Sequence, residues 1–289
     1  MRKRAKKKLD DLIIEPTSDL FTASLWSATK NEPLLRDFIS ATLADSGQPI
    51  IRQVTVLNPF KVKEFAVDRQ LVLDVRAQDE RNCWYNIEVQ TAPHPAFLER
   101  TVLHWADMFS SQLRIGGKFT ELLPVISIVL AAFPIFPNLQ RLHSVFRITA
   151  EENPKVLLTD YFQMHFLRLG DLIKRQMEGL GELHCGLRNW LNFFTFGAKV
   201  TEDKMAQLVE NNPAIMTAYE EFQRFSLDDE MRDLERRRRR FLEDQQIYTN
   251  AAVKEGRIEI ARNMKNDGFD TAVIVKMTGL SSWEIERLD

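Results

Sequence analysis

With 289 residues, 44% of them hydrophobic and 28% charged, the chain has enough apolar material for one large domain, or a domain with a small appendage, around a buried core. A formal net charge of -2 excludes a uniformly basic coat for nucleic acid and leaves such contacts to local patches. The two cysteines, Cys83 and Cys185, form no paired motif, which excludes a disulfide framework or thiolate metal cluster and predicts free thiols in a reducing cytoplasm.

In chain order, the opening MRKRAKKKLDD places six basic residues before the first acid, with no apolar stretch of signal-peptide length behind it, so residues 1–17 read as a disordered basic arm. From Ser18 onward, Leu20, Phe21, Leu25, Leu34, Leu35, Phe38, Ile39 and Leu43 recur at three- and four-residue spacings. They predict two helices, with Ser18 as a cap and Pro33 at the second start. Asp45-Ser46-Gly47 closes that region. Ile51–Leu57 and Gln70–Ala77 are predicted strands, Asp79-Glu80-Arg81-Asn82 is a polar turn, and CWYNIEVQT returns as the other arm of a hairpin. A helical pattern runs from Phe97 to about Arg114. The longest apolar run, LLPVISIVLAAFPIF, is too short for a membrane span and is broken by Pro124 and Pro134, so it reads as a central strand. Further strands are predicted near His143–Thr149 and Gln163–Leu169. This order predicts an α/β (α+β) domain over residues 18–171, with a mixed central sheet flanked by helices, followed by an all-helical C-terminal region.

That region divides into an extension with a charged linker helix, residues 172–245, and a small helical unit, residues 246–289. The five arginines Arg236–Arg240 point all round a helix, which favours a solvated helix over a DNA groove contact. Gly268 and Thr278-Gly279-Leu280 divide the last unit into three short helices, with Ser281 and Glu284 as a capping box. The arrangement is like a helix-turn-helix. Its last helix, SSWEIERLD, carries three acids to one arginine, so protein contact or packing is favoured there over DNA reading.

The candidate chemistry sits in the hairpin. YNIEVQT sets Asn86, Glu88 and Gln90 on one strand face and Tyr85, Ile87 and Val89 on the other. Reflecting the arms about Glu80 and Arg81 brings Asp74 opposite Glu88, with Cβ atoms about 5 Å apart. Two carboxylates that close repel unless protonated or bridged by a cation. Oxygen donors of this kind suit Mg²⁺ or Mn²⁺, with the Val89 backbone carbonyl as a further ligand and Gln90 placed to orient a water. Spacing alone leaves this open against a plainer alternative, acids on the wet side of a hairpin. Trp84, Tyr85 and Trp105 read as core, because no basic groove accompanies them.

DLFTASLW with EPLLRDFISATL, DRQLVLDVRAQD with NIEVQ, ERTVLHWADMFSSQLRIGGKFTELLPVISIVL, MHFLRL and the tail GRIEIARNMKNDGFDTAVIVKMTGLSSWEI together resemble the recombination-promoting nuclease and transposase family of the PD-(D/E)XK nuclease superfamily. The likeness spans roughly residues 18–289 and is thinnest over 172–245. It implies a restriction-endonuclease-like fold and a Mg²⁺-dependent DNA endonuclease, with Mn²⁺ or Ca²⁺ as alternative ions. Such an enzyme hydrolyses phosphodiester bonds with little sequence preference, in bacterial recombination or transposition. The likeness makes Asp74 and Glu88 the metal-holding acids, beside the Val89 carbonyl, and Gln90 the third catalytic position. The wider superfamily usually has Lys where Gln90 stands, while this branch commonly carries Gln. A neutral amide brings no charge to the transition state, so a lower rate is expected, and Gln90→Lys is expected to retain or increase cleavage.

An additional acid from the first helix best matches Asp19, with Glu32 a poorer match. Arg69 and Arg100 flank the two arms as phosphate contacts, with Gln112 a weaker match. Thr22 replaces a Lys frequent in the family, which lowers the expected DNA affinity. The competing reading keeps the nuclease fold but makes the chain a catalytically weak or inactive DNA-binding or regulatory module. Expected partners are DNA in a bacterial cytoplasm and a second copy of the chain through the helical C-terminal region, with no membrane.

Overall fold

The computed structural model describes residues 13–58, 74–174 and 178–288. Ile14 is buried and the Pro16 ring lies against Gly197, so residues 13–17 belong to the packed domain and not to a disordered arm. The six basic residues of that arm lie outside the described residues. Helix α1 (Asp19–Ser27) starts at Ser18, whose hydroxyl accepts from the Phe21 N–H, and α2 (Glu32–Asp45) carries Pro33 in its first turn, both as the spacing predicts.

Six strands follow: β1 (Val54–Val56), β2 (Val75–Asp79), β3 (Trp84–Gln90), β4 (Val125–Ala131), β5 (His143–Phe146) and β6 (Phe162–Arg168). They form one mixed sheet in the order β1-β2-β3-β4-β6-β5. The central pairs β3/β4 and β4/β6 are parallel, and the outer pairs are antiparallel. A central parallel strand is covered on both faces, and every residue of β4 is buried, which is why its sequence reads as an apolar run interrupted only by Ser127 rather than an alternation. Residues 70–73 of the predicted strand Gln70–Ala77 lie outside the described residues.

Helix α3 (Phe97–Ser110) covers one sheet face, where Phe97 packs with Val129, Met164 and Phe166. It ends before the predicted Arg114 because Gln112 and Leu113 bond three residues back, to Phe109 and Ser110, in tighter turns. The remaining helices of the domain are α4 (Leu169–Lys174), α5 (Cys185–Phe196), α6 (Glu202–Leu208) and α7 (Pro213–Leu227). Helices α1, α2, α5 and α7 share an aromatic core. Trp26 stacks on Phe38 with ring centroids 4.5 Å apart, Trp190 meets both, and Phe21 meets Phe222 and Phe225 edge-on.

Two buried polar systems tie this core to the sheet. Arg168 is fully buried, donating to the carbonyls of Phe136, Leu139 and Arg141 and to the Asp171 carboxylate, and so pins the chain that leaves β4. The second runs Asp45–His143–His165–Gln163–Gln48, with contacts of 2.7, 2.9, 2.8 and 2.9 Å in that order. Its protons can be placed. Ser46 donates to the Leu43 carbonyl, so Gln48 Nε2 donates to Ser46 and to Gln163 Oε1. Gln163 Oε1 is then an acceptor for His165 Nε2–H, and His165 Nδ1 accepts from His143 Nε2–H while His143 Nδ1–H faces Asp45.

The chain forms two compact units, residues 1–232 and residues 233–289. Helix α8 (Asp229–Asn266) continues unbroken through the expected boundary at 245–246, so the first of the three short helices expected in the tail is the end of this long one. Arg236 and Arg237 reach back to Asp233, and Arg238 is buried. Helices α9 (Thr271–Thr278) and α10 (Ser282–Glu286) pack on the end of α8 through Ala261, Ile274, Leu280 and Ile285. Gly279 turns the chain at φ 71°, and Ser281 with Glu284 forms the predicted capping box. Among the described residues, no helix is long and apolar enough to cross a membrane.

Candidate functional site

The site begins at the tip of the β2–β3 hairpin. Asp79 is buried, not a solvated turn residue. Its carboxylate accepts from the Arg81 and Cys83 N–H groups, the Tyr85 hydroxyl and the Arg81 guanidinium. This locks the turn, where Asn82 takes a left-handed φ of 63°. With the turn fixed, the register is fixed: Val75 pairs with Ile87, and one step further sets Asp74 opposite Glu88, as the reflection of the arms predicts. Burial pushes the neighbouring Cys83 thiol up to about 12, so it is inert, and neither cysteine is in a disulfide.

The polar face of β3 is not wet. Asn86 and Glu88 are each 2% exposed, because α3 lies over them. The same helix lowers two side chains onto Glu88. Arg100 and His104 stand four residues apart and so share one helical face. His104 Nδ1 lies 3.3 Å from Glu88 Oε2 and 3.8 Å from Asp74 Oδ2, and one donor atom from each of the three residues lies within 4.8 Å of the others. Burial and the adjacent Glu88 charge push the Asp74 carboxyl up to about 6. The hydrogen bond to Glu88, with the charges of Glu88 and Asp74, holds the His104 imidazole above its ordinary value against the effect of burial.

Gln90 has a role that spacing did not suggest. Its Nε2 donates to Glu88 Oε1 at 2.5 Å, and its Oε1 accepts from Arg100 Nη2 at 2.7 Å. The amide therefore connects a carboxylate to a guanidinium that stands 3.8 Å from the same carboxylate oxygen. It also sorts the two Glu88 oxygens, with Oε1 held by the amide and Oε2 facing His104 and Asp74. The Gln90 carbonyl accepts from the Ala132 N–H, so strand alternation turns the preceding Val89 carbonyl away from β4, toward the edge from which Asp74 comes.

Several of the other expected site residues have contacts of their own. Asp19 opens α1, its carboxylate accepts from the Leu20 N–H, and it is not part of the Asp74–Glu88–His104 group. Glu32 accepts from the Val56 N–H and ties α2 to β1. Both ends of the Gln112 amide are taken by the Leu123 backbone, a structural link from the end of α3 to the start of β4. Thr22 is buried and donates within α1, and Arg69 lies outside the described residues. Trp105 donates to the Val125 carbonyl and stacks on Phe109, and Tyr85 is fully buried, so both are core as expected. His104 was missed in the sequence. The signal that could have found it is its helical spacing from Arg100.

Two carboxylates on one hairpin of a mixed sheet, with an imidazole brought over them by α3, make a group that could hold a metal ion. A family described as PD-(D/E)XK nuclease family transposase matches residues 16–252, and one described as Rpn/YhgA-like nuclease family, C-terminal HTH domain, matches residues 254–289. The chain belongs to the PD-(D/E)XK nuclease family transposases and carries the Rpn/YhgA-like C-terminal helix-turn-helix domain. Comparison with curated proteins and with solved structures found no match.

Proposed function

We propose that this protein is a divalent-metal-dependent DNA endonuclease that hydrolyses backbone phosphodiesters with little sequence preference, in bacterial DNA recombination or transposition. The observation that carries the reading is the convergence of Asp74, Glu88 and His104 under α3 in a chain of a nuclease family. The donor set suits a divalent ion: two carboxylates that repel without one, with the Val89 carbonyl turned toward the side from which Asp74 comes. A divalent ion there supplies Lewis-acid polarisation of the phosphate and activation of the attacking water. Asp74 and Glu88 are the ligands. Gln90 is a positioning residue that keeps Glu88 Oε2 aimed at the ion, and Arg100, 38% exposed, offers its guanidinium to a phosphate oxygen. Arg69 remains a proposed phosphate contact from the sequence. The helix-turn-helix tail favours DNA as the partner, against the packing role suggested by its acidic last helix.

One observation favours a second reading, a nuclease fold kept for DNA binding or regulation: Thr22 is buried and cannot replace the cationic side chain frequent at that position. Supercoiled plasmid separates the two. Incubation with Mg²⁺ or Mn²⁺ is expected to give nicked circles, and Asp74→Ala and Glu88→Ala each lower the rate at least about 100-fold. Nicking that persists in both variants sinks the assigned site. Plasmid binding without cleavage under either ion selects the second reading.

A further inference from the structure

We propose that His104 is a third protein ligand of the metal and that it makes the site selective for a first-row transition ion, represented by Mn²⁺, over Mg²⁺ and Ca²⁺. The inference rests on the nuclease reading for the place of the ion and goes beyond it in naming the ligand and the ion class. Cis ligands around an ion at about 2.1–2.2 Å lie about 3 Å apart. His104 Nδ1 stands 3.3 Å from Glu88 Oε2 and 3.8 Å from Asp74 Oδ2, and one donor atom from each residue lies within 4.8 Å of the others, so a small contraction would bring the three onto one ion.

The nitrogen is also held there. His104 projects from α3, whose Phe97, Thr101 and Met108 are buried, so it is delivered by a packed helix and not by a loop. Glu88 does not require it as a sole partner, because Gln90 donates to Oε1 and Arg100 stands beside that same oxygen. The imidazole faces the other oxygen, Oε2, the one free to bind an ion. Mg²⁺ and Ca²⁺ take oxygen donors and gain little from an imidazole, whereas affinity for a nitrogen donor rises along the first-row transition ions from Mn²⁺, the weakest of them and the paramagnetic one used as probe, to the later ions that imidazole suits best. A two-oxygen, one-nitrogen set therefore shifts the preference toward the transition ions.

The test uses the full chain stripped with a chelator and titrated with Mn²⁺, free Mn²⁺ being read by electron paramagnetic resonance, with Mg²⁺ as competitor. The wild type is expected to favour Mn²⁺ by at least about tenfold. Pulsed resonance of the Mn²⁺-loaded protein is expected to show ¹⁴N coupling from a directly bound imidazole. His104→Gln should abolish that coupling and weaken Mn²⁺ binding about tenfold or more, with Mg²⁺ binding changed less than about threefold. Wild-type Mn²⁺ without ¹⁴N coupling, or coupling that survives in His104→Gln, overturns the proposal, and the wild-type spectrum needs no variant to fold. Glu88→Ala separates the two layers. If it abolishes Mn²⁺ binding while the wild type lacks ¹⁴N coupling, only the His104 assignment fails. If it leaves Mn²⁺ binding intact, the hairpin site itself falls.

Discussion

At the scale of single residues, the site is assembled at the expense of stability. Burial and Glu88 raise the Asp74 carboxyl to about 6, above its unfolded value near 3.8. The folded state therefore binds that proton more tightly than the unfolded chain, so stability rises as pH falls from above 6 toward 3.8, and the full penalty is present at pH 8. Asp74→Asn is expected to abolish nicking yet stabilise the metal-free protein by on the order of 1–3 kcal/mol at pH 8. Urea titration checks it, and the gain should shrink between pH 6 and pH 4. Gln90 gives a second test. Sequence alone favoured a harmless or helpful Gln90→Lys. The structure reverses that expectation, because an ammonium there would satisfy Glu88 but repel Arg100, which now donates to the amide oxygen. Losing a hydrogen bond to a charged group, about 1.5–3 kcal/mol, corresponds to about a tenfold or larger drop in cleavage. In an Arg100→Ala background, Gln90→Lys should cost little more, which a double-mutant cycle on the plasmid assay would show.

At the scale of elements, what was legible in the sequence is what local patterns encode. The Ser18 cap, the hairpin register and the largely apolar β4 follow from capping, turn chemistry and burial, so Asp74 and Glu88 could be paired without coordinates. What depends on side chains meeting across the fold was not legible. His104 reaches Glu88 only because α3 folds back over the sheet, and the same holds for the Asp45–His143–His165 chain, whose members come from α2, β5 and β6. That chain has its own pH signature. Burial holds the His165 imidazole well below its ordinary 6.5, with the His143 and Arg147 charges adding to this, while hydrogen bonds from His143 and His184 hold Asp45 below 3.8. A depressed histidine is neutral in the fold and protonates first in the unfolded chain, so stability is full above 6.5 and falls as pH drops toward the folded value. Asp45 adds a further loss only below about 3.8. His165→Leu should be less stable than wild type at pH 8, since His143 Nε2 loses its acceptor, yet lose less on acidification to pH 5.5. Urea midpoints at the two pH values decide it, and equal acid slopes in the two proteins would remove His165 from the account.

At the scale of the whole molecule, the two units differ in how much core supports them. The sheet domain has β4 and β6 buried along most of their length and an aromatic cluster behind them. The tail holds α9 and α10 to the end of α8 through four buried side chains, Ala261, Ile274, Leu280 and Ile285. A unit that small has little stability in reserve. Truncating a buried isoleucine to alanine removes about 2–5 kcal/mol, comparable to all that such a core provides. Ile274→Ala is therefore expected to release α9 and α10 while the sheet domain stays folded. Hydrogen exchange should show lost protection over residues 271–286 and unchanged protection in β4 and β6. Nicking should keep its metal dependence, because Asp74, Glu88 and His104 all lie in the other unit. If the tail supplies DNA backbone contacts, plasmid affinity falls in the same variant and its salt dependence becomes shallower, one step for each lost phosphate contact. Unchanged affinity with the tail unfolded would return the acidic last helix to a packing role, and protection lost in β4 as well would show that the two units do not fold separately.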